Sequence, residues 1–195
     1  MDTQLLFLFN RGLANSFFDV LMPALTFQGY LLAGPFLLYA IYRGAAGRDE
    51  KGKTFLTAAI TAVVISLVSV ALADLACAWL KDVVARPRPC QALESVRLIV
   101  SCPRSFSLPS SHAATSFAFI TPYLMLARRL IQTGWLAYIV ILASLIALSR
   151  PYLGVHYPSD IVAGAVLGAV VAGVMCWVYL KISERSDQRN ETNPM

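Results

Sequence analysis

Five long apolar stretches constrain the fold of this chain more strongly than any other feature of its sequence. Each is close to the roughly 17–25 residues that a helix needs to cross a bilayer, although the third and fourth reach that length only with flanking residues. The composition agrees, since 57% of the 195 residues are hydrophobic, 14% are charged and the mean hydropathy is +0.63. We therefore predict an all-α, polytopic membrane bundle of about five transmembrane helices. The stretches cover residues 17–42, 54–80, 113–127, 135–149 and 161–180.

The two ends of the chain differ from this apolar body. Residues 2–16 are too short to cross a bilayer and lack the basic start and cleavage site of a signal peptide, so we predict a short interfacial helix there. The chain shows no internal repeat and no second domain, which makes residues 1–183 one membrane-embedded domain. The polar segment 184–195 predicts a flexible cytoplasmic tail.

The basic residues predict the orientation of the bundle. Nine of the sixteen Lys and Arg lie on one side, and only four remain on the other once Lys81, Arg88 and Arg150 are assigned to the site described below. The positive-inside rule makes the first side cytoplasmic, so the site faces the periplasm or the exterior of a bacterial inner membrane. Basic residues at membrane ends and around an anionic substrate account for the net charge of +5, and no nucleic-acid partner is expected. The nine are Arg43, Arg48, Lys51, Lys53, Arg128, Arg129, Lys181, Arg185 and Arg189.

Four cysteines bear on the compartment and on metal binding. Cys90 and Cys102 lie in the loop between the second and third stretches, which the orientation places in an oxidising compartment, so they either form a disulfide or remain free. There is no CxxC motif and no Cys/His spacing suited to zinc. No metal site is expected.

A first polar cluster, Lys81 with Arg88 and Pro89, follows the second apolar stretch. Pro87 and Pro89 prevent helix continuation, so the helix should end near Lys81 and the chain should turn across the membrane surface. Lys and Arg are favoured partners of phosphate oxygens. Taken alone, the cluster is also typical of basic anchors below a helix end.

A second cluster, Pro109-Ser110-Ser111-His112, opens the third stretch. A serine at the capping position and the free N–H groups of the first helical turn form a ready anion site. His112 lies at this helix terminus, where it can donate a proton to a leaving group. On its own, such a sequence is also typical of a plain helix cap.

The third cluster combines a cation, an imidazole and a carboxylate: Arg150, His156 and Asp160. Pro158 suits the first turn of the last span, so Asp160 falls in that turn, four residues after His156. A carboxylate there can accept the imidazole N–H and leave the other nitrogen as a nucleophile or base. A buried structural His–Asp pair is the alternative. It is disfavoured because both histidines of the chain, His112 and His156, lie at helix mouths.

In this order and spacing, the three clusters resemble the signature of the type 2 phosphatidic acid phosphatase (PAP2) family, which shares its site with vanadium haloperoxidases. The sequence departs from the family pattern at Ser111, where glycine is most frequent, and in having five predicted spans where many members have six. The matching residues are Lys81, six residues, Arg88-Pro89; Pro109 to His112; and Ser149-Arg150, five residues, His156, three residues, Asp160.

The resemblance implies a mechanism without metal or other cofactor. His156 would attack phosphorus to form a phosphohistidine, Asp160 would orient it, and His112 would protonate the leaving oxygen before water releases phosphate. Charge on the phosphoryl oxygens would be neutralised by Lys81, Arg88, Ser110, Ser111 and Arg150.

A site at the membrane boundary can receive a phosphorylated head group while its hydrocarbon chain stays among the membrane lipids. The first substrate hypothesis is undecaprenyl diphosphate. Phosphatidylglycerophosphate, phosphatidate and lipid A 1-phosphate are alternatives with the same chemistry. A hypothesis of a different class is a non-catalytic lipid-phosphate binder or transporter, although binding alone requires no nucleophile.

Three residues within the apolar stretches remain open. Asp74 is a carboxylate inside the second stretch, where it either steers the basic cluster or pairs with a helix hydroxyl. Gly164 and Gly168 have the GxxxG spacing in the last stretch. Close packing inside the bundle is favoured there over a homodimer through the last helix.

Overall fold

The computed structural model describes residues 1–47 and 55–192, and all regular structure within them is helical. The all-α prediction is confirmed. A π-helical turn at Leu8–Gly12 and a 3-10 turn at Leu31–Ala33 accompany the α-helices. The α-helices of these residues are α1 (Asp2–Phe7), α2 (Ser16–Gln28), α3 (Gly34–Ala46), α4 (Leu56–Val84), α5 (Pro89–Ala92), α6 (Ser111–Leu126), α7 (Thr133–Tyr152) and α8 (Pro158–Thr192).

The described residues contain three helical segments that are long and apolar enough to span: Leu56–Ala92, Thr133–Tyr152 and Pro158–Ser186. A fourth is reached if Asp2–Gly12 and Ser16–Phe27, which meet at 114°, form one bent span. The count of five is therefore not confirmed. Part of the difference is that α6, in the third stretch, has only 16 residues.

The first predicted span, residues 17–42, is not one helix. It is divided into α2 and α3 because Gly29, Gly34 and Pro35 fall in its middle, and Pro35 lacks the N–H that helix continuation requires. The Gly29 backbone lies so close to α7 that a Cβ there would stand 2.8 Å from the Ile146 side chain. The break therefore brings the start of α3 and the end of α2 against the bundle.

The C-terminal prediction also differs from the structure. The tail predicted as flexible from residue 184 is helical as far as Thr192, because α8 continues well beyond its apolar part. Residues 193–195 lie outside the described residues. So do Arg48, Lys51 and Lys53, three of the nine basic residues on the predicted cytoplasmic side.

Helix α6 lies at the centre of the bundle and packs against α4, α7 and α8. Its closest neighbour is α8, whose Gly164 and Gly168 face the α6 backbone. A Cβ at Gly168 would stand 2.0 Å from the Ala114 carbonyl oxygen, and one at Gly164 would stand 2.4 Å from that of Ser110. The GxxxG pair thus serves packing within the bundle, and α6 already occupies the surface that a homodimer through these glycines would need.

Replacing Gly168 by alanine should destabilise the protein by about 2 kcal/mol, since overpacking against rigid backbone costs about 1–3 kcal/mol. Gly173→Ala is the matched control on the same helix, because a Cβ there meets no atom within 4 Å. Alanine has the higher helix propensity, so the control should be neutral or slightly stabilised. Thermal unfolding in detergent compares the two. Equal transition temperatures would contradict the close approach of α6 and α8.

Candidate active site

The three polar clusters of the sequence meet at one end of the bundle. The end of α4 and the turn after it carry Lys81 and Arg88, the start of α6 carries residues 110–112, and the α7–α8 connection carries His156. Backbone hydrogen bonds tie these segments together: the Ser107 N–H donates to the Arg86 carbonyl at 2.8 Å, and that of Ser110 to the Asp160 carbonyl at 3.0 Å.

His156 and Asp160 form the buried pair that their spacing predicts. The imidazole Nδ1 lies 3.3 Å from Oδ2 of Asp160, and the two side chains are 2% and 0% exposed. The same oxygen accepts the Tyr157 N–H at 2.9 Å and the Ser107 hydroxyl. A carboxylate held by so many donors is ionised, so Nδ1 carries the ring proton and Nε2 keeps its lone pair.

Arg88 lies directly beside that lone pair. Its Nη1 is 3.0 Å from Nε2 of His156 and donates to the Val155 carbonyl at 2.9 Å. Its Nε donates to the Ser105 carbonyl at 2.6 Å. These bonds fix a buried guanidinium next to the nitrogen that is free to act as a nucleophile, where it can also contact an oxygen of the attacked group.

The surroundings of His156 keep its ring neutral. Burial is the largest influence and lowers the pKa of His156 to about 4, with the charges of Arg88 and Arg150 acting in the same direction. The hydrogen bond to Asp160 opposes this shift. A group with so low a pKa is unprotonated at neutral pH, as a nucleophile must be.

The start of α6 brings further donors to the same region. Lys81 Nζ donates to Ser111 Oγ at 2.8 Å, and the charges of Lys81, Arg88 and Arg150 all act on His112. His112 lies beside Tyr30, with 6.4 Å between ring centroids. Among the described residues, no hydrogen bond joins His112 to His156, although the two rings interact electrostatically.

Two buried donors in this region lack a protein partner. Arg150 reaches Thr26 Oγ1 with Nη1 at 3.3 Å, but its Nε and the Ser110 hydroxyl have no hydrogen-bond partner within the described part of the chain. Arg150 is only 6% exposed and Ser110 is fully buried. Buried unsatisfied donors are rare, and a bound anion would supply acceptors for both.

Arg86 is the principal residue that the sequence analysis missed. Its Nη1 donates to Asp160 Oδ1 at 2.6 Å, its Nη2 to Asp2 Oδ2 at 2.7 Å, and its guanidinium lies 4.0 Å from the Tyr157 ring centroid. Asp2 also accepts the Ser159 N–H at 3.0 Å, which draws α1 across this end of the bundle. The Arg-Pro-Arg-Pro repeat at residues 86–89 was the signal that could have pointed to Arg86.

A disulfide joins Cys90 and Cys102, with a Cα–Cα distance of 6.1 Å, and resolves the alternative that the sequence left open. It closes the loop between the two segments that contact His156 and Asp160, since Arg88 precedes Cys90 and Ser107 follows Cys102. The bond restricts how far these segments can separate.

Two pockets adjoin the start of α6. The first is lined by Tyr30, Val70, Ala71, Asp74, Ser111, His112 and Thr115. The second is an almost wholly apolar cavity of about 220 Å³ between α3, α4, α6 and α7, and it shares Tyr30, Val70 and Thr115 with the first. The polar end of the bundle is thus adjacent to an apolar space beside α6.

The buried His–Asp pair lies at a basic helix mouth inside a bundle of apolar helices, an arrangement suited to phosphate chemistry at a membrane. Residues 62–184 match the model of the PAP2 superfamily, and the chain belongs to this family. It is therefore a phosphatase that acts on phosphate esters.

Named relatives share this sequence over different lengths. The chain is 32% identical to a lipid A 4'-phosphatase of Bacteroides thetaiotaomicron over 95% of its own length and 80% of that protein. It is 34% identical to a decaprenylphosphoryl-5-phosphoribose phosphatase of Mycobacterium tuberculosis, over 68% and 65% of the two chains. An undecaprenyl-diphosphatase of Sulfolobus acidocaldarius is 31% identical over 58% of this chain and 51% of its own. The fold is similar to the crystal structure of Aquifex aeolicus LpxE, with a TM-score of 0.59, 24% identity and coverage of 89% and 93%.

Proposed function

We propose that this chain hydrolyses a lipid phosphate through a phosphohistidine formed at His156. The observation that carries the proposal is the line of contacts from Asp160 to Nδ1 of His156 and from Nε2 to Arg88. These contacts set the tautomer of His156 and leave its Nε2 unprotonated. They also place the Arg88 guanidinium where the negative charge of a phosphate group would lie.

The proposed reaction has two steps. In the first, Nε2 of His156 bonds to phosphorus while the ester P–O bond breaks, and His112 gives its proton to the departing oxygen. Burial and the charges of Arg150, Lys81 and Arg88 lower the pKa of His112 to about 3, so His112 acquires that proton only when the anionic phosphate group of the substrate offsets these charges. In the second, His112 takes a proton from water as the water oxygen attacks phosphorus, the N–P bond breaks and inorganic phosphate leaves. The non-bridging oxygens are held by Lys81, Arg88, Arg150, Ser110 and Ser111, which stabilises the transition state electrostatically.

The apolar cavity beside α6 supports a lipid as the substrate. Its shared lining with the pocket at His112 would let a hydrocarbon chain lie between the helices while the phosphate reaches the polar end. We further propose that this end faces the periplasm or cell exterior of a bacterial inner membrane. The distribution of basic residues and the disulfide both support that orientation.

Two substrate types with different leaving groups follow from the relatives. A prenyl diphosphate, the first hypothesis from the sequence, would lose an anionic lipid phosphate, whereas a sugar or glycerol phosphomonoester would lose a neutral alcohol. The Bacteroides thetaiotaomicron relative, which matches 95% of this chain, carries the name lipid A 4'-phosphatase, and this supports the second type.

Phosphate release from purified lipid phosphates in detergent tests the function. We expect activity to be unchanged by EDTA, because Lys81, Arg88 and Arg150 supply the positive charge that metals supply in two-metal phosphatases. Vanadate should inhibit competitively, because it adopts the five-coordinate geometry of the transition state with a histidine at one apex. Inactivation by EDTA that added magnesium or zinc reverses would contradict the mechanism.

A further inference from the structure

Asp74 is the one acidic residue in the lining of the pocket beside His112. It lies on α4, two helical turns before Lys81, and within the segment Leu56–Ala92 that is long and apolar enough to span the membrane. Its side chain is exposed, and in the described part of the chain no hydrogen bond or ion pair engages it. The structure therefore excludes a pairing of Asp74 with a helix hydroxyl.

A carboxylate without a hydrogen-bonding partner raises the free energy of a helix that spans the membrane. Translocon-based scales assign about 2.5–3.5 kcal/mol to an aspartate at the centre of a spanning helix, and such residues typically face a cavity and serve function. Asp74 faces a cavity that also contains the proposed proton donor. Lys81 attracts Asp74 through its charge without a hydrogen bond, so hydrogen bonds to the carboxylate must come from what occupies the cavity.

The proposed reaction specifies what occupies this cavity. Attack by His156 requires the departing oxygen to lie opposite Nε2, and protonation by His112 requires that oxygen to be near His112. The leaving group is thus the part of the substrate that meets Asp74. The other hydroxyls there are already engaged, since Tyr30 Oη and Thr115 Oγ1 are 3.1 Å apart and the Thr115 hydroxyl also lies 2.9 Å from the Ser111 carbonyl.

We propose that Asp74 selects substrates whose leaving group is an alcohol bearing a further free hydroxyl, as in a sugar or glycerol phosphomonoester. That hydroxyl donates a charge-assisted hydrogen bond to the carboxylate. A diphosphate would instead bring a second phosphate towards Asp74, where like charges repel. The inference rests on the proposed function and names its substrate class, against the undecaprenyl diphosphate first expected from the sequence.

The central comparison of the test uses two substrates that have the same hydrocarbon chain. The kcat/KM is measured for decaprenylphosphoryl-5-phosphoribose and for decaprenyl diphosphate, with phosphatidylglycerophosphate to separate a glycerol from a sugar, and with p-nitrophenyl phosphate to report the chemistry alone. The enzymes are the wild type, Asp74→Asn and the control Asp82→Asn. Asp82 is an exposed carboxylate on the same helix and outside the pocket lining.

Asp74→Asn should lower the ratio of hydroxylated monoester to diphosphate activity by about tenfold or more, the worth of one charge-assisted hydrogen bond. All activities of Asp82→Asn should be unchanged, and the loss caused by Asp74→Asn should be smaller on p-nitrophenyl phosphate, whose leaving group has no further hydroxyl, than on the hydroxylated monoesters. A ratio altered by less than about threefold, or a wild type that prefers the diphosphate, overturns the role of Asp74 while the phosphatase mechanism stands. Release of phosphate from none of the substrates would overturn both.

Discussion

His156→Ala should reduce phosphate release by at least about 10⁴-fold, because removal of a covalent nucleophile costs most of the rate enhancement and the chain offers no replacement. The only other histidine of the sequence is His112, which the proposed mechanism uses as the acid. The measurement is phosphate release from a lipid phosphate and from p-nitrophenyl phosphate, with thermal unfolding recorded in parallel.

A covalent intermediate gives a second readout. Acid quenching of the wild type with a ³²P-labelled substrate should trap an acid-labile, base-stable label on the protein, and His156→Ala should carry none. His112→Ala is the matched variant, since it keeps the nucleophile and should still become labelled from p-nitrophenyl phosphate, whose leaving group needs little protonation. Retention of more than about 1% of activity by folded His156→Ala would show that another group attacks phosphorus.

Arg86→Gln should lower kcat by about 10–100-fold with little change in KM, although the residue is outside the signature clusters. Its guanidinium holds Oδ1 of Asp160 at 2.6 Å, which aims Oδ2 at the imidazole, and loss of a partner of this kind typically has effects of that size. Arg86→Lys should recover part of the activity because it retains the charge but not the planar fork.

Arg104→Gln is the control for that substitution. Arg104 is an exposed arginine in the same loop, so the variant makes the same change of charge and should behave as wild type. Asp2→Asn distinguishes the contribution of Asp2 from that of Asp160, the two carboxylates that Arg86 bridges, because it weakens only the contact with α1. A fall in thermal stability with unchanged kcat for Arg86→Gln would show that Arg86 is structural rather than a positioning residue.

The fold class and the contacting pair His156 and Asp160 were predictable because they depend on local spacing. A membrane span is visible in a sequence as a run of apolar residues. An imidazole four residues before a carboxylate at the start of a helix is close enough to contact that carboxylate. The positions at which helices are interrupted were less predictable. Pro23, Pro122 and Pro151 lie inside helices, whereas Pro35 begins one, and only tertiary packing separates these outcomes.

The contacts made across the chain were not predictable from local patterns. Arg86 meets Asp160 at a separation of 74 residues and Ser107 meets it at 53, and both depend on how the loop after α4 folds back. The sequence shows Asp74 as an unusual carboxylate in an apolar stretch, but it does not show the pocket that Asp74 lines. The resemblance named a nucleophile, the carboxylate that orients it and an acid, whereas Arg86 and Ser107, which hold that carboxylate, required the structure.

The unpartnered hydrogen-bond donors of Arg150 and Ser110 link the stability of the protein to the binding of its proposed product, inorganic phosphate. Within the described residues Nε of Arg150 is buried without a hydrogen-bond partner, and an oxyanion would supply both the missing acceptor and a negative charge. Any species that binds only the native state adds RT ln(1 + [L]/Kd) to its stability, about 2.7 kcal/mol at a concentration of 100 Kd. Inorganic phosphate would thus act in two opposite ways, slowing turnover by occupying the site while protecting the protein from denaturation.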